Sequence, residues 1–445
     1  MQRILSFEQS PPLSVPMRFF LTAPVFAAVA GCIVFWYGPQ ALDSRWSPIT
    51  LALTHLLTLG FVTMSMVGAL LQLLHVVAGV EVPYVRFTAG LVHVLLVIGT
   101  IVFVAAFLSS EPVMFRIALF ILLAAFTWLV GASMYGLLGV EVNSATLRAI
   151  FLSLLGLGFA AALGVTLACV FGWGVALPFM LLGDLHVAWG LLGWVGLLVI
   201  GVAYQVVPMF QVTPLYPPFV TKILAPVLFL LLCLWSVAAT IVLPVMFNWL
   251  PTMLSTLLAA GYMIFSVMTI HLLWQRKRKT TDTTTLFWLT GLISLLGGAG
   301  LWLMGTIIPG IREAPSYPLA LGILFLVGFA YSTINGMLYK IVPFLVWYHL
   351  QNQMAEASMK AGMKVPNVRQ IIADRMTRNQ FFMHLAALVL LVGATVWPDR
   401  IARPAAVALV ASSMWLWLNL ANATRIYRNR LNSNGNLLQE KTITV

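Results

Sequence analysis

The sequence predicts an all-α polytopic membrane protein of twelve transmembrane helices, arranged as three pseudo-symmetric four-helix units in a single membrane domain, residues 1–445. Three observations predict it. Hydrophobic residues make up 61% of the chain and charged residues only 8%, where an ordinary soluble domain carries about 25% charged. Twelve apolar stretches can each span a hydrocarbon core about 30 Å thick, which takes about 20 helical residues. A glycine–aromatic pattern recurs at matched places in three of those stretches. Charge this sparse cannot clothe a water-facing surface, so a soluble enzyme, a disordered chain and a disulfide-rich secreted module are excluded. An outer-membrane barrel would show short alternating segments instead of long apolar runs.

In chain order the expected spans are 18–38, 48–76, 87–109, 113–137, 147–172, 182–211, 219–245, 251–275, 284–309, 317–349, 379–397 and 404–425. The first follows a polar lead, is long enough to cross, and lacks a small-residue cleavage site, so it reads as a span and not as a cleavable signal. The seventh holds Pro226 and no histidine, and the eighth runs into the basic cluster Arg276, Lys277, Arg278 and Lys279. Between the tenth and eleventh lies one long loop, 350–378. There Val368, Ile371, Ile372 and Met376 fall on one face and Arg369, Arg375 and Arg378 on another, which predicts a helix lying on the membrane surface. The spacings of Met354, Met359 and Met363 do not hold one face, so they read as part of that interfacial segment and not as a copper site. A tail, 426–445, follows the last span.

Orientation follows from the charges. With twelve spans the termini share a side, and that side takes 19 of the 24 Lys and Arg and seven of the twelve acids. The other side keeps Arg45, Arg116, Arg312, Arg400 and Arg403 with five acids, so the two sides carry +12 and 0. The positive-inside rule places both termini in the cytoplasm of a bacterial inner membrane. The basic excess is topological. Its partner is anionic lipid headgroups, not nucleic acid. Cys32, Cys169 and Cys233 are far apart in apolar runs and read as buried thiols, with no metal or redox spacing.

The repeat occupies the second, sixth and tenth spans. It reads Gly60-Phe61, Gly68, Gln72, His75; then Gly193-Trp194, Gly201, Gln205, Pro208; then Gly328-Phe329, Gly336, Lys340, Pro343. The copies lie 133 and 135 residues apart, four spans each, which divides the chain into units at 18–137, 147–275 and 284–425. Small residues eight apart share nearly one helix face and allow close packing, so these three spans are expected to line one another. Midway along the tenth span sit Tyr331, Ser332, Thr333 and Asn335, then Lys340. They read either as the lining of a water path or pocket, or as side chains bonded to their own helix, with Lys340 reaching toward the headgroups.

Twelve spans, termini inside and a threefold four-helix repeat resemble the haem–copper oxidase subunit I superfamily. The stretches Leu185-His186-Val187-Ala188-Trp189-Gly190-Leu191-Leu192-Gly193-Trp194 and Met337-Leu338-Tyr339-Lys340-Ile341-Val342-Pro343-Phe344-Leu345-Val346-Trp347 look like the divergent subunit-I-like proteins of bacteria. Those include a haem- and copper-containing group associated with denitrification and nitric-oxide tolerance. The resemblance covers most of the chain as topology and only the repeated helices as motif.

Seven histidines are the main chemical suspects in a chain so poor in charge. The resemblance implies that His55, in the second span, is an axial ligand of haem b, and that His186, in the sixth, is a copper ligand. From the residues alone, each also reads as a histidine bonded to a neighbouring helix or placed at the interface. His55 precedes its repeat glycine by five residues and His186 by seven, about 200° of helix rotation, so the two are not symmetry mates. His93 and His384 lie a few residues inward from Arg86 and Arg378, in corresponding spans of the first and third units. They read as a pair sharing a haem or metal, or as two separately satisfied buried histidines. His75 stands at a helix-bend position, and His271 and His349 near the membrane surface.

The departures from the family narrow the function. The family's oxidases carry a histidine pair on the tenth helix and adjacent histidines on the seventh, and this chain has neither. Ordinary oxygen or nitric-oxide reductase activity is therefore not expected. The leading expectation is an atypical haem or haem/copper membrane protein serving electron transfer, a nitric-oxide or redox response, or oxidase cofactor assembly, with a redox or assembly partner. The alternatives are a permease for a small solute and a cofactor-free assembly subunit.

Overall fold

The computed structural model describes residues 11–80, 82–140, 144–242, 244–278, 281–361 and 365–443, with the side chains of 77–78, 354–361 and 433–443 excepted. Among them there is no strand, and eleven helices are long and apolar enough to cross a membrane. They are α1 (Ser14–Leu42), α2 (Pro48–Val76), α3 (Val85–Ser109), α4 (Pro112–Leu138), α5 (Ala145–Trp173), α6 (Phe179–Gln211), α7 (Pro218–Thr240), α8 (Val245–Trp274), α9 (Thr283–Ile307), α10 (Ser316–Gln353) and α12 (Pro398–Asn432). A further long helix, α11 (Asp374–Ala394), covers the expected eleventh span. It is not among the eleven because Arg378, Asn379, Gln380 and His384 make its first half polar.

Local chemistry fixes where these helices start. Ser47 accepts from the Thr50 N–H at 3.1 Å, with Pro48 in the first turn of α2. Ser144 accepts from Leu147 N–H at 3.1 Å ahead of α5, and Asp282 from Thr285 N–H at 3.0 Å ahead of α9. Each cap satisfies a backbone donor that has no partner inside the helix. Outward-facing side chains such as Phe87, Phe120, Leu230 and Ile264 are apolar and exposed, as contact with hydrocarbon requires.

The repeated glycines mark two structural events. First, α2, α6 and α10 each contain a π-helical stretch: Leu56–Thr63, Trp189–Gly196 and Leu324–Tyr331. Every stretch begins four residues before the repeat glycine and ends three after it. Second, the glycines let helices touch. A Cβ on Gly60 would meet Phe26 of α1 at 2.5 Å, and one on Gly328 would meet Ser294 of α9 at 2.5 Å. In the middle copy, a Cβ on Gly156 of α5 would lie 2.5 Å from the backbone of Gly193. One turn-pair further on, Gly68, Gly201 and Gly336 press in the same order on Phe19, Ala149 and Phe287, at 2.8, 2.6 and 2.8 Å.

The wider packing repeats as well. α3 lies on α4, α7 on α8, and α11 on α12; α4 then packs on α5, α8 on α9, and α12 back on α1. The three π-containing helices meet inside: Phe61 of α2 stacks on Tyr331 of α10 with ring centres 3.8 Å apart, and Trp194 of α6 donates to Thr63 of α2 at 3.3 Å.

Two expectations change. The loop does not form a surface helix. Val368–Ile371 is a single turn, and Ile371 and Ile372 bury into the bundle, so the apolar face is satisfied by protein and not by lipid. The side chains of Met354 and Met359, and all of Met363, lie outside the described residues. None of the three cysteines is fully buried, and Cys32 faces outward. The Lys340 ammonium sits 2.6 Å from Asp282, at the start of α9.

That ion pair sets a pH dependence. Burial alone would raise the Asp282 pKa, but the Lys340 charge and hydrogen bonds from Lys340 and Thr285 outweigh it and hold the carboxyl below its usual range. A depressed folded pKa contributes stability above the unfolded value, about 3.9, and loses it as pH falls through the folded one. Asp282→Asn is therefore expected to lower the thermal midpoint in detergent at neutral pH. The gap to the parent protein should close as a pH series descends below about 4.

Candidate functional site: a two-histidine cavity

A cavity of about 960 Å³ lies within the bundle. Its walls come from the beginnings of α2, α4, α6, α8, α10 and α12 and the ends of α1, α3, α5, α7, α9 and α11. Successive helices run in opposite directions, so these halves all fall toward one end of the bundle. At that end stand Arg45, Asp184 and Arg312, which belong to the sparsely charged side of the sequence partition. The lining is mostly aliphatic and aromatic, and a volume of this size suits a ligand with hundreds of Å² of apolar surface.

Two histidines enter this cavity. His55 is the last residue before the π stretch of α2, and His186 precedes that of α6 by three residues. Their ring centres lie 6.2 Å apart, with planes 25° from parallel. Each ring is oriented from behind. His55 Nδ1 donates to the Leu51 carbonyl at 2.8 Å, and His186 Nδ1 to the Ala160 carbonyl of α5 at 2.9 Å. A carbonyl can only accept, so the proton sits on Nδ1 and the neutral ring presents a lone pair at Nε2. This is the tautomer of a metal-binding imidazole with its outer hydrogen bond in place. Neither Nε2 has a hydrogen-bond partner among the described residues.

The surrounding residues fit these rings closely. Gly164, one turn beyond Ala160 on α5, would carry a Cβ 3.0 Å from the His186 ring, close enough that the ring would have to shift by a few tenths of an ångström. Phe103 and Phe107 of α3 pack on His55 at 4.9 and 5.5 Å between ring centres. They continue into Phe115, Phe171 and Phe179. At the mouth Arg45 pairs with Asp184 at 2.7 Å and lies over Trp46 at 4.2 Å. Trp46 in turn fills the notch at Gly183, three residues before His186. The loop between α1 and α2 is thus pinned to the start of α6.

The other histidines are placed elsewhere. The structure does not bring His93 and His384 together. His93 Nε2 is 2.9 Å from Thr22 Oγ1 of α1, and its ring packs on Phe19. His384 Nε2 is 2.7 Å from Ser332 Oγ of α10, and its ring stacks on Tyr331. Each is engaged by a hydroxyl of its own neighbourhood, and neither lines the cavity. His75 donates to the Leu71 carbonyl of its own helix, and His271 lies against Gln275. Neither of these lines the cavity, and nor does His349.

The donor set decides what such a cavity can hold. Among the described residues no three His, Cys, Asp or Glu side chains converge. Two imidazoles are fewer than the three or four protein donors of a zinc site. They do complete haem iron, whose macrocycle fills the remaining positions. Two imidazole nitrogens about 2 Å from one metal put their ring centres roughly 6 Å apart, which is the spacing found. The spacing of the two rings and the apolar lining therefore fit a haem.

Fold and site together define a polytopic helical membrane protein with a two-histidine apolar cavity. No protein-family model and no curated protein matches the chain.

Proposed function

We propose that the protein is a membrane haem b protein in which His55 and His186 share one iron, and that its role is electron transfer. The single observation that carries this reading is the pair of imidazoles, 6.2 Å apart in an apolar cavity, each held with Nδ1 as donor. Haem would supply the one-electron redox couple. The chain supplies two axial nitrogens, an aromatic wall, and at the mouth Arg45 and Arg312, cations suited to the carboxylates of a haem. Two histidine nitrogens on the iron would leave no open position for oxygen or nitric oxide. That favours electron transfer over gas reduction, in keeping with the histidines missing from the seventh and tenth spans.

The same reading takes α11 as a twelfth crossing. Its 21 residues rise about 31 Å, enough to span, and it forms a hairpin with α12. Twelve crossings in three four-helix units agree with the matched π stretches and the cyclic packing. With twelve crossings the termini share a side, and the charge partition of the sequence supports a cytoplasmic side for them and an outer side for the cavity mouth, where a redox or assembly partner would dock. A permease for an apolar solute would also need a large cavity, but the fixed tautomers of two facing imidazoles favour a metal macrocycle. The test is the haem-to-protein ratio of detergent-purified protein expressed with ample haem precursor. One haem per chain is expected; protein with no Soret absorbance would overturn the proposal.

A further inference from the structure

The inner half of the bundle contains a second concentration of polar side chains, between α10, α11 and α12. Two hydrogen-bonded rungs join α10 to α12: Tyr331 OH to Ser413 Oγ at 2.8 Å, and Asn419 Nδ2 to Tyr339 OH at 2.9 Å. A third joins α11 to α12, where Gln380 Nε2 donates to Ser412 Oγ at 3.1 Å. Asn335 stands one helical turn from each of the two tyrosines, on the same face of α10. It is fully buried, yet neither its amide nitrogen nor its amide oxygen has a hydrogen-bond partner.

Three more buried atoms on α11 and α12 are also unpartnered: Gln380 Oε1, His384 Nδ1 and Trp415 Nε1. Gln380 and His384 are one turn apart on α11 and fully buried. Trp415 falls on the α12 face between Ser412 and Asn419. Thr333 Oγ1 is unpartnered too, but it faces Gly291 of α9 and belongs to another contact. Leaving one such atom unsatisfied costs about 1–3 kcal/mol, more than a fold would sustain several times within two turns.

The orphaned set is chemically mixed. Asn335 and Trp415 offer N–H donors, while Gln380 and the Asn335 oxygen offer acceptors. A cation would need acceptors only, and an anion donors only. A ligand that donates and accepts in the same place is water. We infer that Asn335, Gln380, His384 and Trp415 enclose a binding site for internal water in the seam between α10, α11 and α12. The site makes His384 a water-contacting residue with no metal to bind. Ser413, the partner of Tyr331, donates to the carbonyl of Leu409, which also lines the histidine cavity.

The test is radiolytic labelling in H₂¹⁸O with mass spectrometry on the purified full-length protein. Bound water next to a buried ring labels it, whereas burial alone protects it. Tyr331 and Tyr339 are expected to take up label at least tenfold faster than Phe20 and Phe265, which are equally hidden but have apolar surroundings. Labelling of the two tyrosines at the rate of those phenylalanines would overturn the inference. In an Asn335→Leu, Gln380→Leu variant the tyrosine labelling should fall to the phenylalanine rate. Unchanged tyrosine labelling in a folded variant would equally overturn it. Should that variant not fold, the comparison within the parent protein decides.

Discussion

Alanine in place of His55 or of His186 is expected to lower the haem that copurifies with the protein by roughly tenfold or more. On the proposed reading the two imidazoles would hold the iron together, so removing either would leave it with one protein ligand. The histidines are not interchangeable with the others. His93 and His384 already bond Thr22 and Ser332 and lie outside the cavity, so alanine there should leave haem content unchanged. Haem per chain in the four variants, compared at equal folded yield, checks this. Loss on changing His93 or His384 but not His186 would place the cofactor elsewhere. Gly164→Val offers a subtler variant, because its side chain would crowd the His186 ring while every ligand remains.

The second large effect is on stability. Gly156→Ala is expected to destabilise the protein by about 3 kcal/mol, at the upper end of ordinary overpacking. The added methyl would lie 2.5 Å from the carbonyl carbon of Gly193 and 2.6 Å from its oxygen. Both are backbone atoms, so no rotamer change makes room, and α5 must move off the π stretch of α6. The move would also disturb His186, whose Nδ1 is held by Ala160 one turn away. Gly158→Ala is the control, since a Cβ there meets nothing within 4 Å. Thermal unfolding in detergent should separate the two variants clearly, and equal midpoints would contradict the close contact.

Much of the architecture was legible in the sequence because apolar run length and repeat spacing report directly on membrane helices. The glycines at 60, 193 and 328 marked the three helices that meet inside. The π stretches around them were not legible, since they arise from how neighbouring helices press on the glycines. The eleventh span was read as 379–397, but its helix begins at Asp374; its polar first half is buried against α10 and α12, which run length does not reveal. The loop turned inward because Ile371 and Ile372 found protein to cover them, a choice between lipid and core that amphipathicity leaves open.

The site was half legible. His55 and His186 stood out as ionisable groups at membrane depth. Their two-residue offset from the repeat concealed that they face one another, because facing requires no symmetry, only two helices meeting at one cavity. His93 and His384 matched by position in their units, yet positional correspondence does not bring side chains together. Arg45 with Asp184, and Gly164 behind His186, depend on contacts between distant segments that no local pattern encodes.

The most direct measurement of whether His55 and His186 share one iron is low-temperature electron paramagnetic resonance of the oxidised, purified protein, with iron and copper determined on the same sample. A low-spin signal of the bis-imidazole type, with one iron per chain and no stoichiometric copper, is the predicted result. A high-spin signal alone, or protein free of iron, would contradict it.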